Sequence, residues 1–427
     1  MIMLTTNKVI LVTYASVFLG MEAIMNYLIS AYSVNPYKGS EDSIGWNWVL
    51  QYEKNYKEGD RIILLTKKFN EKDTRRGLKE FNIQHVELVI VDVPNALNWF
   101  REKHSAFHHM YYILWQHWAW LWVKHSGIRF DVIHHVTMND YRIPSEMYKA
   151  KGAKVIWGPM GGAQVTPKPL KVYEKNQFAA AFREFVNKSC SWNPFYKKAL
   201  RSYYKIYCIN NETQKQISRI VGKDVPLMPE LALRDEYKNL PIQKRNNDIL
   251  KIVFVGRLIG KKGIAFLVDA LSLMPTAMDW ELLIFGDGDD RALIEKQIAD
   301  SGIGKNVKLM GNRPLDQIAE AYQQADVFVL PSLRETSGNV LLEAMAYAVP
   351  IVAFDTSFCR LLKEVDCGVF VNTEQALEGI KEDYCKAIVT LGQNKDLARQ
   401  MGLNGYEYVN KYLTWESKYE AVLKDII

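Results

Sequence analysis

A two-part α/β protein, each half a doubly wound parallel sheet, is what this chain predicts, and three observations predict it. From Leu250 onward, short apolar runs at 250–255, 282–285, 307–309, 327–330 and 350–353 alternate with helix-length segments, as in a parallel sheet with helices on both faces. Charge divides the chain nearby. Residues 1–240 hold 33 Lys+Arg against 22 Asp+Glu, a net of +11, and residues 241–427 hold 21 against 26, a net of −5, which sum to the +6 of the whole. At the break lies a polar stretch, Asp235 to Asp248, with Pro241 and Asn246-Asn247, that reads as a linker. With 427 residues and 48% hydrophobic content there is material for two such domains, 25–234 and 250–412, around a linker at 235–249.

The first 24 residues stand apart. Val9 to Met21 is apolar behind Lys8, which fits a short signal-peptide core. The stronger reading starts the fold at Met25, with a first strand at 25–33 and residues 1–24 as an upstream translated extension. After that strand comes Asn35-Pro-Tyr-Lys-Gly-Ser-Glu-Asp-Ser-Ile-Gly-Trp-Asn-Trp48, a loop opening a helix. Gly39 lets the backbone approach a ligand, Ser40 is suited to cap the helix, and Glu41 opens it.

Phe107 to Val123 is dense in His, Tyr and Trp. One reading is a buried helix packing its aromatics; the sharper one is a surface that meets lipid headgroups or a lipid-linked molecule. Lys151 to Lys205, with 11 basic residues against Glu174 and Glu184, supports attraction to an anionic membrane. All eight histidines fall between His85 and His135. Asp131 to Thr137 reads as a strand end, and because successive strand residues face opposite ways, His134 and His135 are not interchangeable. Gly158-Pro-Met-Gly-Gly162 closes the next strand, with Gly161 and Gly162 as either a plain turn or a ligand-facing pair.

Three strand-to-loop junctions carry the chemistry of the C-terminal domain. Val253 to Gly263 is a strand, a basic loop with Gly256, Arg257, Lys261 and Lys262, and a helix from about Ile264. Leu282 to Asp290 ends a strand at Gly286, with Gly288 beyond it, and Asp287-Gly-Asp289 reads either as a metal-binding Asp-x-Asp or as a surface loop. Val327 to Ala346 is a strand, a loop from Pro331 to Gly338, and a helix over Asn339 to Ala346. Glu335 stands in that loop and Glu343 about one turn along the helix, while the N–H groups of Gly338, Asn339 and Val340 can hold a phosphate.

In these residues the chain resembles the retaining, nucleotide-sugar-dependent glycosyltransferases of family 4, which have the GT-B fold. Their pattern Pro-Ser-x-x-Glu-x-x-Gly-x-x-x-x-Glu-Ala-Met-Ala-x-Gly-x-Pro lies over Pro331 to Pro350, and Gly-Arg-Leu-x3-Lys-Gly over Gly256 to Gly263. Ser337 stands where Phe is usual and Ala348 where Gly is usual. The N-terminal Gly-Ser-Glu and Gly-Trp elements, with Gly158 to Gly162, resemble a bacterial subset that builds cell-surface polysaccharides.

The resemblance implies two Rossmann-like domains facing across a cleft, with a C-terminal helix, here 413–427, crossing back to the N-terminal domain. It implies a UDP- or GDP-sugar donor bound in the C-terminal domain, with Glu343 on the ribose, Glu335 on a hydroxyl of the transferred sugar, and Arg257 and Lys262 neutralising the diphosphate without a metal. It favours the surface-loop reading of Asp287 to Asp289, and it places a histidine at the end of strand 131–137, preferably His135, beside the donor sugar. The acceptor would be a glycan on a lipid carrier, in the cytoplasm or at the inner face of the cytoplasmic membrane.

Other classes find less support. Five cysteines without paired spacing argue for a reduced compartment, and no run of about 20 uncharged apolar residues marks a spanning helix. No His-rich or Cys-pair metal pattern and no nucleic-acid recognition motif is present. A dinucleotide-dependent oxidoreductase would need a Gly-x-Gly-x-x-Gly turn after the strand at 25–33, and none follows it. A non-catalytic GT-B partner protein would tolerate loss of Arg257, Lys262, Glu335 or Glu343, and all four are present. A pyridoxal-phosphate GT-B phosphorylase stays open on fold alone.

Overall fold

The computed structural model describes residues 24–426 except 40, 95–107, 175–176, 246 and 336–337. The proposed extension at 1–24 therefore lies, but for its last residue, outside the described residues, as do Ser40 and Ser337. Contacts group the chain into two compact units: the described residues up to Thr137 with Lys149–Val155, and Met138–Tyr148 with the described residues from Ile156.

Two six-stranded sheets organise the described residues. The first is built from β1 (Asn26–Ser30), β2 (Arg61–Thr66), β3 (Val86–Ile90), β4 (Val132–His135), β5 (Lys154–Met160) and β6 (Lys205–Cys208), in the order β3-β2-β1-β4-β5-β6. Its intervening helices include α1 (Glu41–Lys54), α2 (Glu71–Glu80), α3 (His108–His125), α4 (Gln177–Cys190), α5 (Pro194–Ser202) and α6 (Asn211–Val221). The second comprises β7 (Leu250–Val255), β8 (Trp280–Phe285), β9 (Val307–Gly311), β10 (Val327–Leu330), β11 (Ile351–Phe354) and β12 (Gly368–Val371), in the order β12-β11-β10-β7-β8-β9. Between and after them run α7 (Ile264–Leu271), α8 (Arg291–Asp300), α9 (Leu315–Gln324), α10 (Asn339–Ala346), α11 (Ser357–Leu362), α12 (Leu377–Gln393), α13 (Lys395–Tyr412) and α14 (Trp415–Ile426). Read along the chain, both sheets have the same order, 3-2-1-4-5-6.

The expected strands of the second sheet match to within about two residues, and both 250–255 and 327–330 match in full. β12 was not among the expected strands. β10 and β11 are buried at every position, which is why they read as unbroken apolar runs without alternation. The pairings β7–β8, β8–β9, β7–β10, β10–β11 and β11–β12 are parallel.

The expected terminal helix is present as α14, and it packs against β6 of the first sheet. Tyr207 donates its hydroxyl to Asp425 Oδ2 at 2.5 Å, Lys205 pairs with Asp425 Oδ1 at 2.8 Å, and Tyr204 donates to the Asp425 carbonyl at 3.0 Å. Lys418 is buried there and donates to the Glu230 carbonyl at 2.6 Å, above the face of Trp415. Its ammonium is pushed down to about 7 by burial. All five cysteines are free thiols. Among the described residues no helix is long and apolar enough to cross a membrane.

The aromatic helix α3 divides its rings. Tyr111, Tyr112, Trp115, Ala119 and Val123 are buried, while His117, Trp118, Trp120 and Trp122 are half-buried and Met110 and Ile113 are exposed. The buried-helix reading thus accounts for one face of this segment.

Candidate functional site

In a doubly wound sheet the crossovers leave in opposite directions from one pair of neighbouring strands, and ligands bind beyond the carboxyl ends of that pair. In the second sheet that pair is β7 and β10. Two loops leave from there, 256–263 with Arg257 and Lys262, and 331–338 with Glu335.

Close backbone contact joins these loops. The Leu333 N–H donates to the Lys261 carbonyl at 2.9 Å. Gly263 has φ +70°, and a Cβ at that position would lie 1.9 Å from the Pro331 carbonyl oxygen, so a glycine is what allows the approach. Gly286, at φ +124°, has the same role at the neighbouring strand: its missing Cβ would fall 2.1 Å from the Gly256 carbonyl oxygen. Gly256 and Gly286 are thus brought against each other.

That approach sets Lys262 on Glu335. The ammonium lies 2.7 Å from Oε2, the Ser332 hydroxyl donates to the same oxygen at 2.9 Å, and the Gly338 N–H donates to Oε1 at 3.3 Å. Glu335 is buried, 6% exposed, in a loop beside a strand end. Burial alone would push its carboxyl up; the Lys262 charge and the three donors outweigh that and hold it below its ordinary value. The group is a buried, ionised carboxylate at neutral pH. Lys261, beside Lys262 and Arg257, has its ammonium lowered by burial and then by these two like charges. Arg257 is exposed at the loop's surface.

Gly338, at φ +59°, turns the chain into α10. Its N–H is given to Glu335, whereas those of Asn339 and Val340 open the helix, where no intrahelical acceptor exists. Glu343 sits one turn into the helix among aromatic rings. Tyr322 donates to Oε2 at 3.3 Å and Arg234 to Oε1 at 3.4 Å. Tyr322 stacks on Tyr347 at 5.6 Å between centroids, and Arg234 lies over Tyr237 at 4.6 Å. Burial pushes the Glu343 carboxyl up, and Arg234 and Tyr322 only partly offset this. The two glutamates are therefore shifted in opposite directions by their surroundings. Asp287 accepts from the Gly288 N–H at 2.8 Å and pairs with Arg291 at 3.4 Å, and no cluster able to hold a metal ion occurs among the described residues.

The corresponding pair in the first sheet is β1 and β4. Gly39 is exposed in the loop after β1, and Glu41 is the first residue of α1. His135 ends β4 opposite Ser30. It is wholly buried, with Nδ1 2.9 Å from the Ser30 hydroxyl and Nε2 2.9 Å from the Tyr112 hydroxyl, and burial pushes it down to about 3. His134 is equally buried, 3.3 Å from the Tyr52 hydroxyl and edge-on to Trp48. Gly161 uses its N–H on the Asn139 carbonyl and its own carbonyl on the Tyr141 N–H, both at 3.0 Å. Gly162, at φ +116°, donates to Gln164 Oε1 at 2.9 Å.

Sequence reasoning missed Ser332, Arg234 and Tyr322. Ser332 lies within the Pro331 to Pro350 pattern, while Arg234 and Tyr322 are 109 and 21 positions from Glu343 and carry no local signal.

Residues 250–394 match the family described as Glycosyl transferases group 1. The amylovoran biosynthesis glycosyltransferase AmsK of Erwinia amylovora is 32% identical over 134 residues, 30% of this chain and 33% of that protein. A phosphatidyl-myo-inositol mannosyltransferase of Mycobacterium leprae is 32% identical over 165 residues, 38% and 42% of the two chains. A lipopolysaccharide core biosynthesis glycosyltransferase, LpsE of Rhizobium meliloti, is 25% identical over 174 residues, 40% and 48%. The chain spans less than half the length of each of these relatives. Among solved structures, the lipopolysaccharide outer core galactosyltransferase WaaB has a TM-score of 0.61 at 17% identity, covering 94% of this chain and 99% of that one. Anabaena HepE in complex with UDP has a TM-score of 0.58 at 14% identity, covering 94% and 100%. At these identities the likeness is one of fold, and the fold is GT-B.

Proposed function

We propose that this chain is a retaining glycosyltransferase of family 4 that moves a sugar from a UDP- or GDP-sugar to a hydroxyl of a cell-surface glycan on a lipid carrier, acting in the cytoplasm without a metal. The observation that carries this reading is the junction of the two loops beyond β7 and β10. There Lys262 and Arg257 offer fixed cations beside a buried, ionised Glu335, with Glu343 one turn into the next helix. A leaving diphosphate needs charge stabilisation that a preorganised cation supplies.

In this reading Arg257, Lys262 and the N–H groups of Asn339 and Val340 receive the diphosphate, Glu343 the ribose, and Glu335 a hydroxyl of the transferred sugar. The bond between the sugar's anomeric carbon and the phosphate oxygen breaks, and the acceptor oxygen bonds to the same face of the sugar. The acceptor's proton passes to the departing phosphate. His135, held neutral and fixed by Ser30 and Tyr112, would act as a rigid wall and not as a proton carrier. The amylovoran, lipopolysaccharide and phosphatidylinositol relatives make a lipid-linked or cell-surface acceptor the first class to test.

A thermal-shift and hydrolysis screen against UDP-, GDP-, ADP- and dTDP-sugars, with Glu343→Ala alongside, tests the reading. A shift with one nucleotide that disappears in the variant is the expected result; no shift with any nucleotide sugar overturns it.

A further inference from the structure

Helix α4 is amphipathic the wrong way round. A helix advances about 100° per residue, so Phe178, Phe182 and Phe185 fall within about 60° of one another, while Asn187 lies on the opposite side. Among the described side chains of α4 Asn187 is the buried one, 3% exposed, and its carbonyl accepts from the Tyr141 hydroxyl at 3.4 Å. The phenylalanines are 83%, 60% and 61% exposed. A helix on an ordinary globular surface buries its aromatic stripe. Here the stripe faces solvent, and it continues past the helix end through Trp192 at 71% and Phe195 at 80% exposed, the latter at the start of α5. Contiguous apolar surface of this kind marks an interaction site.

Charge says what it meets. Residues 177–202 carry Arg183, Lys188, Lys197, Lys198 and Arg201 against the single acid Glu184. That acid is already matched by Lys171 at 2.7 Å. The apolar stripe is therefore framed by unbalanced positive charge. Two copies meeting face to face through it would bring these cations together, which disfavours self-association. An anionic partner with an apolar interior suits both features: the rings enter the acyl boundary and the basic side chains stay at the headgroups.

We propose that the solvent face of α4 and the start of α5 dock on an anionic phospholipid bilayer. Arg183 on α4 feels the charge of Arg334 in the Glu335 loop, but the residues changed in the test below include none of Arg257, Lys262, Glu335 and Glu343.

The test is co-sedimentation of the full chain with vesicles of phosphatidylcholine, with and without phosphatidylglycerol. Binding is expected to need phosphatidylglycerol and to weaken with salt. Lys197→Glu with Lys198→Glu should lower it by at least about tenfold, since each basic residue near an anionic surface is worth about fivefold. Phe178→Ser, Phe182→Ser and Phe185→Ser together should abolish it at unchanged melting temperature, because exposed rings contribute little to the folded core. A second measurement needs no stripe variant: brominated phosphatidylglycerol should quench tryptophan emission of the wild type, and less so in Trp192→Phe. Equal binding to neutral vesicles, no binding at all, quenching unaltered by Trp192→Phe, or a wild-type dimer that the serine variant splits would each overturn the proposal, the last in favour of a second copy.

Discussion

Replacing Lys262 by methionine keeps the length of the side chain and removes its charge, which isolates what the ion pair does. Glu335 would stay buried, 6% exposed, with Ser332 and the Gly338 N–H still donating to it. Breaking a buried pair by removing one member costs about 3–5 kcal/mol, because the other charge is left without compensation. For a domain of 150–250 residues each kcal/mol moves the melting temperature by roughly 2–4 °C, so a loss of about 6–20 °C is expected at pH 7. The pH dependence follows from the sign of the shift. In the wild type the Glu335 carboxyl is held below its ordinary 4.5, so its stabilising share is complete above that pH and fades as pH falls beneath it. In the variant only the Ser332 and Gly338 donors still oppose burial, so the carboxyl rises, and protonation relieves the cost. The gap between wild type and variant is therefore largest near neutrality and narrows on acidification. Adding Glu335→Gln to Lys262→Met should return most of the loss. Calorimetry across pH 4–8 reads all three proteins. A loss under about 1 kcal/mol, or a double variant no more stable than the single one, would refute the view that Lys262 and Glu335 form a buried, mutually dependent pair.

The other expectations are quicker to state. Glu343→Gln should raise the melting temperature at pH 7 and not at pH 4, because burial raises this carboxyl and its ionised form costs stability above its ordinary range; the same variant should lose any donor-induced shift. Gly263→Ala places a methyl 1.9 Å from the Pro331 carbonyl at φ +70°, so it should destabilise by about 2 kcal/mol or more and weaken donor binding measured by titration calorimetry. His135 is held near 3 against its ordinary 6.5, so it should withdraw about 1.4 kcal/mol of stability per pH unit below 6.5, and His135→Gln should flatten that region of the acid unfolding curve.

What the residues revealed beforehand depended on how local the signal was. The second sheet was legible because strand, glycine-marked turn and helix follow one another within about twenty residues, and a buried parallel strand is an unbroken apolar run. The loop glutamate and the two cations were legible for the same reason. The contact between Lys262 and Glu335 spans 73 positions, and the surroundings of Glu343 are assembled from Arg234, Tyr322 and Tyr347, so no window contains them. Composition left two readings open. The tryptophan-rich stretch at 107–123 has the content of a lipid-facing surface, yet Tyr111, Tyr112 and Trp115 are core. Strongly exposed rings lie on α4, whose three phenylalanines look like an ordinary buried stripe until one sees which side Asn187 occupies. Periodicity tells that a helix has two faces and not which of them is covered.

The contact between Lys262 and Glu335 also acts as a resident competitor. Before any donor arrives, the cation that the proposed reading gives to a phosphate already holds a carboxylate at 2.7 Å. An incoming molecule must exchange one anion for another, and only then is Glu335 released to accept a hydroxyl. Under the proposed reading a free sugar cannot make that exchange, since it brings no charge to trade, whereas a nucleoside diphosphate can. The carboxylate becomes available to the sugar only in the complex that also carries the leaving group, so readiness and occupancy are linked by one ion pair.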